Sequence, residues 1–217
     1  MALVPELCLT DPEAGIAMLH RVFGFAVHGS TLTLDSQTLR VRKADTALAH
    51  GRIDHVALAV PDIDAALARM LAAGATLDPA VTPDGVGRIA EFWGEGIRYV
   101  YLQGPEVARI ELCQRNAGAV TEAGHDHIGI PCRDLVSTQR FFEDQGARLI
   151  ASVDLQRAGG TVPVRFLDYA GAMIELYAPP GAEPREPGLW SRLLVGGPDG
   201  GLDGERIGPD GLILAPL

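Results

Sequence analysis

The sequence predicts an α+β protein built from tandem βαβββ modules. Three observations predict it: a segment that recurs at a constant offset, a switch from strand to helix periodicity inside each copy, and 47% hydrophobic residues, enough to bury a core. An offset of 72 residues relates Asp54 to Asp126, His55 to His127, Asp62 to Asp134, Gly74 to Gly146, Ala75 to Ala147 and Leu77 to Leu149 without a gap. The copies also end alike. Ile110, Glu111 and Leu112 match Ile174, Glu175 and Leu176 at an offset of 64, so the first copy carries eight extra residues, assigned to the loop-like TPDGVGR at 82–88.

Each copy has the same local grammar. Residues 54–60 alternate small or polar with branched apolar side chains and read as a strand. Asp62 and Asp134 stand where a helix N-cap carboxylate accepts free N–H groups. Ile63, Leu67, Met70 and Leu71 then recur at helical spacing, and Gly74 and Gly146 suit a left-handed C-terminal cap. Strand-like runs follow at 75–80, 88–93, 97–103 and 107–114 in the first copy, and at 147–153, 161–168 and 172–178 in the second. Residues 1–50 read as a degenerate module of the same kind without ligands: a strand, a cap at Asp11 with Pro12 at the first helical position, Ile16, Leu19 and Phe23 on one face, then two short strands around Asp35 and Ser36. The organisation expected is therefore 1–50, 51–118 and 119–180 as modules, and 181–217 as a Gly/Pro-rich extended tail clasped through Trp190, Leu193, Leu194 and the closing LILAPL.

Composition narrows the function classes. A net charge of −10 argues against a nucleic-acid partner, and no apolar run approaches the length of a membrane span. The N-terminus shows no secretory pattern, and the three separated cysteines lack zinc spacing, so a reduced, cytoplasmic protein is expected. One lysine against seventeen arginines suggests a GC-rich bacterial genome.

Strand alternation places the chemistry. His55, Ala57 and Ala59 share one face, as do His127, Gly129 and Pro131, leaving open space beside each imidazole. Glu111 shares a face with Arg109 and Cys113, and Glu175 with Met173 and Tyr177. A mid-strand carboxylate is costly to bury unless paired or metal-bound. A single His–Glu pair is commonly a structural hydrogen bond; repetition of both residues in both copies favours two imidazoles and two carboxylates meeting around one divalent ion, Zn, Ni, Co, Mn or Fe. His125 reads as an exposed rim residue or an alternative ligand. Arg98 and Arg165 are candidate anion contacts on strand runs, and Trp93, Tyr101 and Tyr177 candidate aromatic lining for a small organic substrate.

The motifs IDHVALAVPDID and DHIGIPCRDL, with the closing RIEL and MIEL, resemble the vicinal oxygen chelate superfamily, which includes glyoxalase I, bleomycin-resistance proteins, methylmalonyl-CoA epimerase and extradiol dioxygenases. The resemblance covers residues 52–178. It implies a partly open eight-stranded cup with metal ligands on the first and last strands of the modules, where His55, Glu111, His127 and Glu175 fall. The order His, Glu, His, Glu resembles bacterial glyoxalase I and implies a metal-dependent lyase or isomerase chelating vicinal oxygens, with Glu175 as base and Glu111 reprotonating the neighbouring carbon. Extradiol dioxygenases would imply Fe(II) on His55, His127 and Glu175, and resistance proteins a non-catalytic drug-binding cup. Beyond scattered arginines there is no basic cluster for glutathione carboxylates. The sheet edge of the N-terminal module is an expected homodimer contact.

Overall fold

The structure, a computed structural model, describes residues 1–118, 120–183, 186–197 and 201–217. Its first module runs β1 (Ala2–Leu9), α1 (Pro12–Met18) continuing into a π turn over 19–23, β2 (Ala26–His28), β3 (Thr31–Leu34) and β4 (Gln37–Lys43). The second runs β5 (His55–Ala59), α2 (Ile63–Ala72), β6 (Thr76–Leu77), β7 (Gly87–Ile89), β8 (Ile97–Gln103) and β9 (Arg109–Arg115). The third runs β10 (Gly124–Pro131), α3 (Leu135–Asp144), β11 (Arg148–Arg157), β12 (Gly160–Tyr169) and β13 (Ala172–Tyr177). β14 (Trp190–Gly196), β15 (Arg206–Ile207) and β16 (Ile213–Pro216) follow. No helix among the described residues is long and apolar enough to cross a membrane.

The local signals act as expected. Asp11, Asp62 and Asp134 each cap a helix through their carboxylates. Gly74 and Gly146 adopt φ of +101° and +94°, a region that only glycine enters freely.

One sheet joins the second and third modules in the order β11-β12-β13-β10-β5-β9-β8-β6, with β7 paired to β8. Within each module the first strand lies parallel to the last, β5 on β9 and β10 on β13. The modules meet where β5 and β10 pair antiparallel, with a bulge between His125 and His127. The helix-bearing faces merge into one apolar core that includes Leu7, Met70, Leu112, Ile128, Phe142 and Leu176. The concave face of the sheet is left for the site.

The second sheet corrects the expectation of an extended C-terminal tail. Its order is β15-β16-β14-β1-β4-β3-β2. β14 pairs antiparallel with β1, and β16 lies parallel to β14, the same relations that join and build the other modules. Trp190 and Leu193 are buried, and the Trp190 indole donates to the Arg109 carbonyl at 3.0 Å. The physical reason is the open edge of β1, a liability that the chain covers with its own last strands. The β1 edge of the N-terminal module is therefore filled from within the chain. Residues 184–185 and 198–200 of the expected tail lie outside the described residues.

Candidate metal centre

β5, β9, β10 and β13 are adjacent in the sheet, and each contributes one side chain to a common point on the concave face. His55 Nε2 and His127 Nε2 lie 3.1 Å apart. Glu111 Oε2 is 3.1 Å from the first and 3.2 Å from the second. Glu175 Oε2 is 3.8 Å and 3.4 Å from the same nitrogens. All four residues are buried. Ligand atoms bound at about 2.1 Å stand about 3.0 Å apart on an octahedral edge and about 3.4 Å on a tetrahedral one. Four of the five separations fall in that range, and the fifth, Glu175 to His55 at 3.8 Å, exceeds it. Glu111 Oε2 is buried and has no hydrogen-bond partner, although two ring nitrogens lie within hydrogen-bond distance. A buried orphan oxygen facing two imidazole nitrogens fits a shared cation better than a set of mutual hydrogen bonds.

Space for the rings is encoded opposite them. Gly129 pairs with His55, and Ala57 with His127. A Cβ on Gly129 would sit 1.9 Å from His55 Cε1, so the imidazole occupies the room that glycine leaves.

Each imidazole is oriented by the preceding residue. Asp54 Oδ2 is 3.2 Å from His55 Nδ1, and Asp126 Oδ1 is 2.8 Å from His127 Nδ1. An ionised carboxylate only accepts, so Nδ1 carries a proton and Nε2 faces the centre. Both aspartates are held by guanidiniums from β9. Arg109 donates to Asp54 at 2.8 Å and to Asp78 at 2.9 Å; Arg115 donates to Asp126 at 3.2 and 3.3 Å. Five carboxylates thus face two guanidiniums, and the cluster favours added positive charge. Burial opposes charge on His55, but the adjoining Asp54 and Glu111 carboxylates prevail and raise its pKa to about 9. Burial also opposes the Glu111 carboxylate, and the two imidazoles hold it down at about 2. His127 is raised well above its ordinary value, burial being outweighed by Glu175, Asp126 and Glu111.

Glu111, His127 and Glu175 line a cavity of about 330 Å³. Of the aromatic residues expected to line it, Tyr101 and Tyr177 do, and the Tyr101 hydroxyl is 3.3 Å from His55 Nε2. Burial, reinforced by Glu111, raises the Tyr101 pKa well above its ordinary value, so the phenol stays protonated. Three other expectations need correction. Ile97, Tyr99 and Tyr101 face the cavity, so the alternation of β8 turns Arg98 to the opposite side, where it pairs with Asp64 at 2.7 Å. Val162 and Val164 face the cavity from β12, so Arg165 also points away, toward Asp154 at 3.6 Å. Trp93 packs on Phe166 and over the Arg115 guanidinium, outside the cavity lining.

His125 is neither an exposed rim residue nor a member of the clusters that could hold an ion. Its ring joins Gln37 Oε1 at 2.7 Å and accepts from the Met173 N–H at 2.9 Å, and burial lowers its pKa to about 4. The sequence reading gave no role to Asp54, Asp126, Arg109 or Arg115. The signal for the aspartates was the repeated Asp-His dipeptide.

No family model matches the chain, and no curated protein matches it. Solved structures do. Glyoxalase I from Zea mays superposes with a TM-score of 0.72 at 15% identity, covering 98% of this chain and 91% of that one. A "putative dioxygenase" from Bacillus subtilis superposes with a TM-score of 0.62 at 12% identity, covering 99% of this chain and 84% of that one. These identities carry the fold alone, and the match extends over nearly the whole chain. The chain has the vicinal oxygen chelate fold that the resemblance of its two copies implied.

Proposed function

We propose that the chain is a metal-dependent lyase or isomerase of the glyoxalase type, acting on a small substrate through two adjacent oxygens. The observation that supports it is the convergence of His55, Glu111, His127 and Glu175 on one another, three of them lining the cavity, with Glu111 Oε2 buried and unpartnered. A divalent ion held by these four side chains supplies Lewis-acid polarisation of a substrate carbonyl. The remaining work belongs to the protein. Asp54 and Asp126 fix the imidazoles, and the apolar walls keep bulk water from the reacting carbons. Glu175 would take the proton from the hydroxyl-bearing carbon, Glu111 would accept the hydroxyl proton and deliver it to the neighbouring carbonyl carbon, and Glu175 would pass its proton to the oxygen there, so the substrate is isomerised and both carboxylates end ionised. The longer separations of Glu175 from the imidazoles, 3.4 and 3.8 Å against 3.1 and 3.2 Å for Glu111, support it as the less closely held carboxylate of the two.

A second reading, Fe(II) oxygen chemistry on a catechol-type substrate, draws on the triad His55, His127 and Glu175, whose donor atoms lie within 4.8 Å of one another. The fourth donor, Glu111, weighs against it. Glu175→Gln tests the first reading. The variant should remain folded and lose at least a hundredfold in isomerase turnover on small α-hydroxy or α-oxo aldehyde adducts. Turnover within threefold of the parent would remove Glu175 as base. Catechol cleavage that requires oxygen and Fe(II) would move the assignment to the dioxygenase. Tight binding of an aromatic drug without any metal would make the cup a binding protein.

A further inference from the structure

The cavity above the donors has a chemical character of its own. Ile89, Phe92 and Ile97 form one wall, and Leu155, Val162 and Val164 the facing wall. Its volume of about 330 Å³ lies at the small end of ligand pockets, which run from about 300 to 1,000 Å³. Two cations border it among the described residues, and both are engaged. Arg109 is held between Asp54 and Asp78. Arg157, at the mouth, reaches from the third module to Glu91 of the second at 3.3 Å. The floor carries Glu111 and Glu175, and the chain as a whole carries a net charge of −10. With a divalent ion bound the two floor glutamates are neutralised, and a carboxylate placed among the apolar side chains, away from the ion, would be desolvated without a partner.

We infer that the substrate joins its two adjacent oxygens to a small uncharged apolar body, an aryl or branched alkyl group, and does not carry the carboxylates of a peptidic thiol. The inference rests on the metal-centre reading above and adds the character of what lies beyond the chelated oxygens. The two oxygens meet the floor, and the apolar body fills the space between the facing walls. Its burial supplies binding energy in proportion to the area removed from water.

The test uses the full chain loaded with Co(II), whose visible spectrum reports on its ligands. Three probes are titrated: acetohydroxamate, benzohydroxamate and S-benzylglutathione. The two hydroxamates present the same pair of oxygens and differ in the body attached. Exchanging methyl for phenyl buries on the order of 100 Å² more apolar surface, which scales to about tenfold or more in affinity. S-benzylglutathione carries an aryl group on a doubly carboxylated body. The expected result is that benzohydroxamate binds at least tenfold more tightly than acetohydroxamate, with no saturable binding of S-benzylglutathione. Equal affinities of the two hydroxamates, or tighter binding of S-benzylglutathione, would overturn the apolar-body inference and leave the metal centre standing. If cobalt binds and neither hydroxamate changes its spectrum, the chelation reading itself falls, and this inference with it.

Discussion

Substituting Gly129 by alanine probes the site through a residue that donates nothing to it. The added Cβ would lie 1.9 Å from His55 Cε1, 2.3 Å from Nε2 and 2.5 Å from Nδ1. Carbon atoms in ordinary contact stand about 3.5 to 4.0 Å apart, so the ring must retreat by roughly 1.5 Å or more. Ligand bonds tolerate about 0.2 Å, so His55 would leave the donor set. Loss of one of four protein ligands should weaken a divalent ion by about a hundredfold or more, near 3 kcal/mol. The strand itself is kept, because β10 stays paired to β5 and β13 on both sides. Overpacking should cost the ion-free protein about 1–3 kcal/mol. The assay is calorimetric titration of Zn(II) into ion-free parent and variant, with urea unfolding of both as control. An affinity within threefold of the parent in a folded variant would refute the reasoning, because His55 would then be dispensable to the ion.

Three further expectations follow from other parts of the structure. Asp126→Asn removes the accepting carboxylate from His127 Nδ1, 2.8 Å away, and should weaken metal binding about 10- to 100-fold while the circular dichroism spectrum is unchanged; unaltered affinity would make the Asp126–His127 contact incidental. In protein kept ion-free by chelator, His55 is raised from 6.5 to about 9, so its contribution, on the order of 3 kcal/mol, is complete below pH 6.5 and lost as pH rises through 9. Urea midpoints should therefore fall between pH 6.5 and 9.5, and flat or rising midpoints would contradict the raised pKa. Leu193→Ala, in a strand that completes the second sheet, should cost about 2–5 kcal/mol in the same assay; a loss below about 1 kcal/mol would mean that β14 contributes little to the fold.

The four candidate donors were legible in the sequence because two periodicities coincided. The 72-residue offset paired the histidines, the 64-residue offset paired the glutamates, and strand alternation put all four on the non-helical face. The same alternation, applied throughout, would have corrected the arginines. Arg98 and Tyr101 stand an odd number of positions apart on β8 and cannot share a face. Asp54 and Asp126 escaped for the opposite reason. Strict alternation sends them away from the adjacent histidines, but Asp54 precedes β5, and Asp126 sits in the bulge of β10. The strands of the C-terminal segment were hidden because β15 has only two residues and Gly/Pro-rich stretches flank these strands, too little for a periodic signal. Pairing with the edge of β1 makes them strands, and that pairing is a long-range fact absent from any local window.

The most direct test of a shared four-donor centre is the metal content of the protein as purified and after reloading, measured by elemental analysis for the parent and for His55→Ala, Glu111→Gln, His127→Ala and Glu175→Gln. The account predicts one divalent ion per parent chain and a marked loss in every variant after dialysis, with all five proteins folded. A parent that takes up no ion from a Zn, Ni, Co, Mn and Fe(II) series, or variants that all retain a full equivalent, would contradict it.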